Sequence, residues 1–299
     1  TDILREEYQR KHATNGMFPF FIKVNQYLFY NFAASNQPYI TMLNGHGDDS
    51  YRYGRKITLN FSSNVYHHTS LAPLFRHLEN CWEQVRSYPE PSPHAVESQL
   101  AQAMGISAES VCLTSGATFS EYADACRLHG HQVRSIYTTD HLPKDADIVW
   151  ICNPNNPTGA VLPHDEMKRL TAQHPDVLFV IDQSYEDFTP RMLFSPHEAA
   201  ALSNVILLHS LTKRFGIPGL RVGYLTARQE WTARIRRNKM PWSVNTLALE
   251  AALFLTEHEK DFRIDLQSLL EERARVAGQL EALRIAEVWP GETHFLLAR

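Results

Sequence analysis

A chain of 299 residues, 43% hydrophobic and 21% charged, is long enough for one large α/β domain, or one large and one small, with a core able to enclose a small-molecule site. Its net charge of -4, with both signs interspersed and a pI near 6.4, argues against a nucleic-acid partner or an anionic membrane surface. No apolar run is long enough to span a bilayer, and the opening TDILREEYQRKH is charged where a signal peptide would be apolar.

Residues 1–41 are set apart by a charged, helix-prone start and an aromatic-dense stretch, MFPFFIKVNQYLFYNFAASN. They are expected to form an arm that packs on the body or on a second subunit. Residues 42–240 form the expected large domain, and 241–299 a helical connection into an incomplete small domain. Within the large domain, LAPLFRHLENCWEQVR places Leu71, Leu74, Phe75, Leu78, Trp82 and Val85 at helical spacing. PHAVESQLAQAMG predicts a second helix, stopped by Gly105. Four apolar runs follow: SVCLTSG, ADIVWICNP, VLFVIDQSY and NVILLHSLT. They do not alternate and are rich in β-branched residues, the pattern of strands buried on both faces of a parallel sheet. HDEMKRLTAQH predicts a crossover helix between two of them. TLALEAALFLTEH and DFRIDLQSLLEERARVAGQLEALR predict later helices, and THFLLAR a closing strand. The four cysteines, Cys81, Cys112, Cys126 and Cys152, form no CxxC pair and match no zinc spacing. No metal site is read from them, and reduced thiols in the cytoplasm are expected.

The chemistry-bearing residues follow the predicted strands, and open α/β sheets bind ligands at the carboxyl ends of their strands. After the first strand, Ser115, Gly116 and Ala117 offer backbone N–H groups to a phosphate, although Ser-Gly turns are common as plain structure. In NPNNPTG, two Asn-Pro steps fix an extended loop from which the Asn156 amide can donate to a ring oxygen. Asp182 ends an apolar strand, and a buried acid requires a cationic partner such as a protonated ring nitrogen. A metal or phosphoryl-transfer acid is the competing reading, and no second acid cluster or Walker lysine supports it. Tyr185, three residues on, can donate to the same ring. Lys213 follows NVILL at the mouth of the sheet, where desolvation lowers an amine's pKa and favours a nucleophile. Ser210 and Arg221 flank it and suit a phosphate.

SLTKRFGIPGLRVGY, NPNNPTG and DQSY together resemble the class I/II aminotransferases, the fold-type I enzymes that use pyridoxal 5'-phosphate, over most of 44–299. The resemblance implies an α/β fold with a mostly parallel central sheet flanked by helices and a small terminal domain. It implies that Lys213 is the Schiff-base lysine and proton shuttle, and that Asp182 pairs with the pyridine nitrogen. Asn156 and Tyr185 would bond the ring oxygen, and Ser115, Gly116, Ala117, Ser210 and Arg221 would hold the phosphate. Tyr88, in RSYPEP, resembles a tyrosine that reaches the phosphate of a neighbouring subunit, which implies a homodimer. The nearest branches are the histidinol-phosphate aminotransferases and the threonine-phosphate decarboxylases. NGHGDDSYRYG and LNFSSNVY resemble the latter and put Asn64 and His46 near the substrate.

The expected activity is amino transfer between an amino acid or phosphorylated amine and a 2-oxo acid. Decarboxylation of threonine phosphate, in cobalamin synthesis, is the alternative, and a non-catalytic relative the second. In two places the chain departs from the pattern. It runs from Thr118 directly into FSEYADACRLHG, where the family has a further helix and strand, and it stops at Arg299 inside the small domain. The ring-stacking aromatic and the substrate-carboxylate arginine are therefore unassigned. A packed core without that helix and strand would hold a void and open strand edges, which argues for a segment omitted from a longer protein rather than a natural deletion.

Overall fold

A computed structural model describes residues 20–23, 63–116, 122–136, 139, 142–284 and 286–298. Its centre is a seven-stranded sheet in the order β2-β7-β6-β5-β4-β1-β3. The strands are β1 (Phe20–Lys23), β2 (Val111–Thr114), β3 (Gln132–Ser135), β4 (Ile148–Cys152), β5 (Leu178–Asp182), β6 (Val205–Ser210) and β7 (Gly223–Ala227). β4, β5 and β6 are paired in parallel. β7 runs antiparallel to both β2 and β6, and β1 antiparallel to both β3 and β4. Five strands therefore point one way and two the other, a mixed sheet of mostly parallel direction. The four apolar runs of the sequence all became strands. Val149, Phe179, Ile181, Val205 and Leu207 are buried, because helices cover the parallel centre of the sheet.

The helices are α1 (Ala72–Asn80), α2 (His94–Met104), α3 (Tyr122–Leu128), α4 (His164–Gln173), α5 (Pro196–Ala201), α6 (Leu211–Arg214), α7 (Gln229–Asn238), α8 (Thr246–Glu257) and α9 (Leu266–Ala282). α2 ends as expected on Gly105, whose φ of 69° is the left-handed cap that glycine adopts at little cost. α8 starts at Asn245, whose side chain accepts from the Ala248 N–H at 2.9 Å. It buries Ala248, Ala251, Ala252 and Leu255 in one cluster with Leu74 of α1 and Val96, Leu100 and Ala101 of α2. The three alanines have short side chains, which lets α8 approach these two helices closely.

Three expectations change. The helix expected over 71–86 breaks at Cys81 and continues as a 3-10 turn, Trp82–Arg86. Of its predicted apolar stripe only Leu74 is buried, whereas Phe75, Trp82 and Val85 are exposed. THFLLAR is not a strand: its last described residues make one isolated bridge, Val288 to Ala298. Part of the segment 1–41, expected to pack as an arm on the body or on a second subunit, is a strand of the sheet. Residues 20–23 lie between β4 and β3, with Phe20 opposite both Trp150 and Ser135. Beside that insertion an apolar groove opens from Thr114 and Ser115 over Ile148, Trp150, Leu208 and Leu225.

Candidate active site

Sheet topology brings the predicted residues to one edge. β2 and β6 end beside the start of β7, because Thr114 and Ser210 both stand opposite Gly223. The turn after β2, the end of β6 and the residues just before β7 therefore share one row, which holds Ser115, Gly116, Ser210 and Arg221. Gly116 has a φ of 88°, and a Cβ built on it would lie 2.7 Å from Nη2 of Arg221. The guanidinium thus sits over the bare backbone of the turn. A cation, a backbone without a side chain and the Ser210 hydroxyl at one place form a fitting cradle for a phosphate. Ser210 is buried, and its Oγ lies 2.8 Å from Oγ1 of Thr212.

The next two strand ends supply the polar groups. Cys152 stands opposite Asp182 across β4 and β5. The Asn153 N–H donates to the Asp182 carbonyl at 2.8 Å, so the NPNNPTG loop leaves the sheet at the level of the acid. Within that loop the side chains divide their work. Asn153 Nδ2 donates to the Leu162 carbonyl at 3.0 Å, and its Oδ1 accepts from the Leu162 N–H at 2.8 Å. Thr158 Oγ1 donates to Asn155 Oδ1 at 2.7 Å. Asn153, Asn155 and Thr158 are thereby buried in holding the loop, and Asn156 is turned to the site. Its Nδ2 lies 3.4 Å from the Tyr185 hydroxyl, and its Oδ1 accepts from Asn64 Nδ2 at 3.1 Å. Asn64 is brought there because the Tyr66 N–H donates to the Lys213 carbonyl at 3.1 Å, which ties its segment to α6. Burial raises the Tyr185 pKa above its usual value, and the Cys152 thiol adds to this, against the hydrogen bond with Asn64. The phenol is a donor at neutral pH.

Asp182 is 1% exposed. Its Oδ1 accepts from the Ser184 N–H at 2.8 Å, and its Oδ2 accepts from the Tyr122 hydroxyl. Tyr122 also stacks on Trp150, with ring centroids 4.3 Å apart. Burial, then the charge of Asp182, raises the Tyr122 pKa far above normal, so it too donates. Lys213 rides on α6, the single turn after β6, with Nζ 5.7 Å from the centroid of the Tyr185 ring. The neighbouring Arg214 fixes that turn through Asp187 at 2.9 Å and Glu259 at 2.8 Å. Burial pushes the Asp187 pKa up to about 6, against the pull of Arg214.

Lys213, Asp182, Tyr185, Asn156 and Asn64 are thus gathered at one end of the sheet, with Gly116, Ser210 and Arg221 along the neighbouring row. Ser115 is exposed at its turn. Tyr88 stands apart: it is 83% exposed, and its ring partner is Trp242 at 5.0 Å. Ala117 and His46 lie outside the described residues.

Two residues were missed. Tyr122 follows the departure at Thr118, so its place relative to Asp182 could not be read from spacing. His294 lies in the stretch taken for a strand. Its ring is 6.4 Å from that of Tyr185 and 4.0 Å from that of Phe188. Burial pushes its pKa down to about 4, and only the backbone at Asn64 pulls the other way. It is a neutral imidazole at pH 7.

The family profile described as "Aminotransferase class I and II" matches residues 91–299. The chain belongs to the class I and II aminotransferases. Members of this family use pyridoxal 5'-phosphate. The chain is 26% identical over 196 residues to a histidinol-phosphate aminotransferase of Ruminiclostridium cellulolyticum, covering 61% of this chain and 54% of that one. It is 33% identical over 203 residues to a threonine-phosphate decarboxylase of Salmonella typhimurium, covering 60% and 54%. It therefore spans about half the length of these curated relatives. Among solved structures, L-threonine-O-3-phosphate decarboxylase from Porphyromonas gingivalis superposes with a TM-score of 0.76 at 31% identity, over 80% of this chain and 81% of that one. The fold is that of the fold-type I enzymes.

Proposed function

We propose that this chain carries the site of a pyridoxal 5'-phosphate-dependent aminotransferase, moving an amino group between an amino acid or phosphorylated amine and a 2-oxo acid. The observation that carries the reading is the convergence, at one end of the sheet, of an amine, a buried acid, the neighbouring side chains of Asn156 and Tyr185, and an arginine–glycine cradle. Bound there, pyridoxal 5'-phosphate supplies an electron sink for a carbanion beside a nitrogen.

The residues divide the remaining work. Arg221, the Gly116 backbone and Ser210 bind the phosphate. Asp182, buried at 1% exposure, would hold a proton on the pyridine nitrogen, which would keep the ring electron-poor. Tyr185 and Asn156 orient the ring through its oxygen. Lys213 would be the amine that takes the cofactor's aldehyde carbon, and its Nζ, once displaced from that carbon by the substrate amine, would be free to move the substrate Cα proton as general base and acid. Ser115, Ala117, Asn64 and His46 are the remaining phosphate and substrate candidates. Decarboxylation of threonine phosphate is the second reading, favoured by the 31% identity to the Porphyromonas gingivalis structure. Both reactions use this same machinery, and the substrate-gripping groups decide which Cα bond breaks.

A homodimer fits the surface. Phe75, Trp82, Tyr88, Met240 and Trp242 are all large apolar side chains left exposed, and a second copy would cover them. In that reading Tyr88 reaches the partner's phosphate. The four cysteines are buried free thiols, which supports a cytoplasmic setting. No helix among the described residues is long and apolar enough to cross a membrane.

The test is reconstitution with the cofactor. Wild type should turn yellow and be fixed by borohydride at Lys213, and Lys213→Ala should lose both properties. Keto-acid-dependent amino transfer against carbon dioxide release then separates the two reactions. A cofactor-saturated wild type without the chromophore overturns the assignment.

A further inference from the structure

Away from that site, three side chains of metal-binding type meet between α1 and α8. His77 lies in the last turn of α1 and Cys81, four residues on, is its C-cap, so the two side chains meet at that end of the helix. Glu250 comes from α8, and its Oε2 lies 3.3 Å from His77 Nε2 and 3.5 Å from Cys81 Sγ. The third edge, Cys81 Sγ to His77 Nε2, is 3.7 Å. Cys81 is 5% exposed, whereas the side chains of His77 and Glu250 keep 30% and 23% of their surface.

These edges can be set against the geometry of an ion. Zinc bonds of about 2.3 Å to thiolate and about 2.0 Å to imidazole and carboxylate, at tetrahedral angles, require edges of about 3.5 Å (S–N and S–O) and about 3.3 Å (N–O). The S–O and N–O edges match these values and the S–N edge of 3.7 Å is longer by about 0.2 Å, at the tolerance for a plausible site. The three donors already stand at the corners of one face of a coordination tetrahedron. The fourth corner is left for water, because His77 and Glu250 reach the surface. The imidazole is also oriented: it stacks on Phe254, one turn beyond Glu250, with centroids 4.7 Å apart and planes 23° apart. The stack limits rotation of the ring. A thiolate, an imidazole and a carboxylate form a borderline-soft set suited to zinc rather than to magnesium or calcium. Without an ion, burial and then Glu250 raise the Cys81 pKa, so the thiol is protonated and donates to the carboxylate.

We propose that His77, Cys81 and Glu250 form a zinc site that clips α1 to α8, separate from the aminotransferase machinery. The four cysteines do not reveal it by spacing, since only Cys81 takes part and Glu250 lies 169 residues away.

The probe is Co(II), added to chelator-treated protein and followed by difference spectra against the cobalt-free sample. Wild type should bind one ion per chain, with a thiolate-to-cobalt charge-transfer band and the visible bands of a tetrahedral ion, and Zn(II) should displace it. Cys81→Ser should lose the charge-transfer band, and Cys126→Ser should keep it. Glu250→Gln keeps the shape of the side chain, and should weaken Zn(II) binding by at least about 10- to 100-fold. Saturating Zn(II) should raise the Tm of wild type and leave that of Cys81→Ser unmoved. A folded wild type that shows no cobalt band, or a band that survives in Cys81→Ser, overturns the site. Should Cys81→Ser not fold, an undiminished Zn(II) affinity in Glu250→Gln does the same. None of these readouts depends on the cofactor or on amino transfer.

Discussion

Replacing Gly116 by alanine tests the phosphate cradle at its narrowest point. At a φ of 88° a side chain is disfavoured, at a cost of about 1–2 kcal/mol for a non-glycine residue in left-handed backbone. The added Cβ would lie 2.7 Å from Nη2 and 3.2 Å from Cζ of Arg221. Arginine has a flexible stem, so the guanidinium gives way rather than the turn. A guanidinium displaced from an anion loses charge-assisted hydrogen bonding worth about 1.5–3 kcal/mol. Affinity for pyridoxal 5'-phosphate should then fall about 10- to 100-fold, at about 1.4 kcal/mol per tenfold. Pyridoxal has no phosphate, so its affinity should stay within about twofold of wild type, since RT is about 0.6 kcal/mol and nothing it touches has moved. Parallel titrations of the two compounds by absorbance give this ratio directly. Arg221→Ala should reproduce the loss, and the double variant should show less than the sum, because both changes remove one interaction. Equal losses for the two compounds, or an unchanged affinity for the phosphate ester, would refute the cradle.

Two further expectations concern the residues that spacing did not reveal. Tyr122 donates to Oδ2 of Asp182, the acid that would face the cofactor's ring nitrogen. Tyr122→Phe keeps the stack on Trp150 and removes the competitor, so cofactor affinity should rise about tenfold, the worth of one hydrogen bond to a charged group; weaker binding in an equilibrium titration would contradict this. His294, with its pKa pushed down to about 4, stays neutral in the folded chain while the unfolded chain protonates near 6.5. Its folded pKa is lowered, so between pH 6.5 and 4 the unfolded state binds more protons, and stability falls as pH falls through that window. The full cost is about 3 kcal/mol, from 1.36 kcal/mol per unit. Urea unfolding at pH 7 and pH 4.5 should show a smaller drop in His294→Asn than in wild type, and equal drops would rule the imidazole out as the cause.

The parts of this protein legible in its sequence are those whose chemistry is local. A buried parallel strand is an unbroken apolar run, and the residue that ends it is read in the same few letters. Asp182 after VLFVI, Lys213 after NVILL and Asn156 inside NPNNPTG were therefore all recognisable. Gly105 likewise stops α2 by its own backbone freedom. THFLLAR misled because the same apolar spacing serves a chain that packs Phe295 against Tyr185 without a neighbouring strand. The stripe on α1 misled for a related reason. Helical periodicity marks one face, and whether this chain or another molecule covers Phe75 and Trp82 is not encoded in the spacing.

The tertiary structure decided the pairings between distant positions. Whether Arg221 lies over Gly116 depends on β7 running back between β2 and β6, and no local preference specifies that. The same holds for the bond from Tyr122 to Asp182 and for Glu250 closing on His77 and Cys81 across 169 residues or more. It holds for Phe20–Lys23, which enters the sheet between β3 and β4, more than 100 residues away in the chain. Local sequence sets backbone preference and the chemistry at a strand's end. Which ends become neighbours is settled by burying apolar surface and pairing strand edges across the fold, and that balance exists only once the chain is folded.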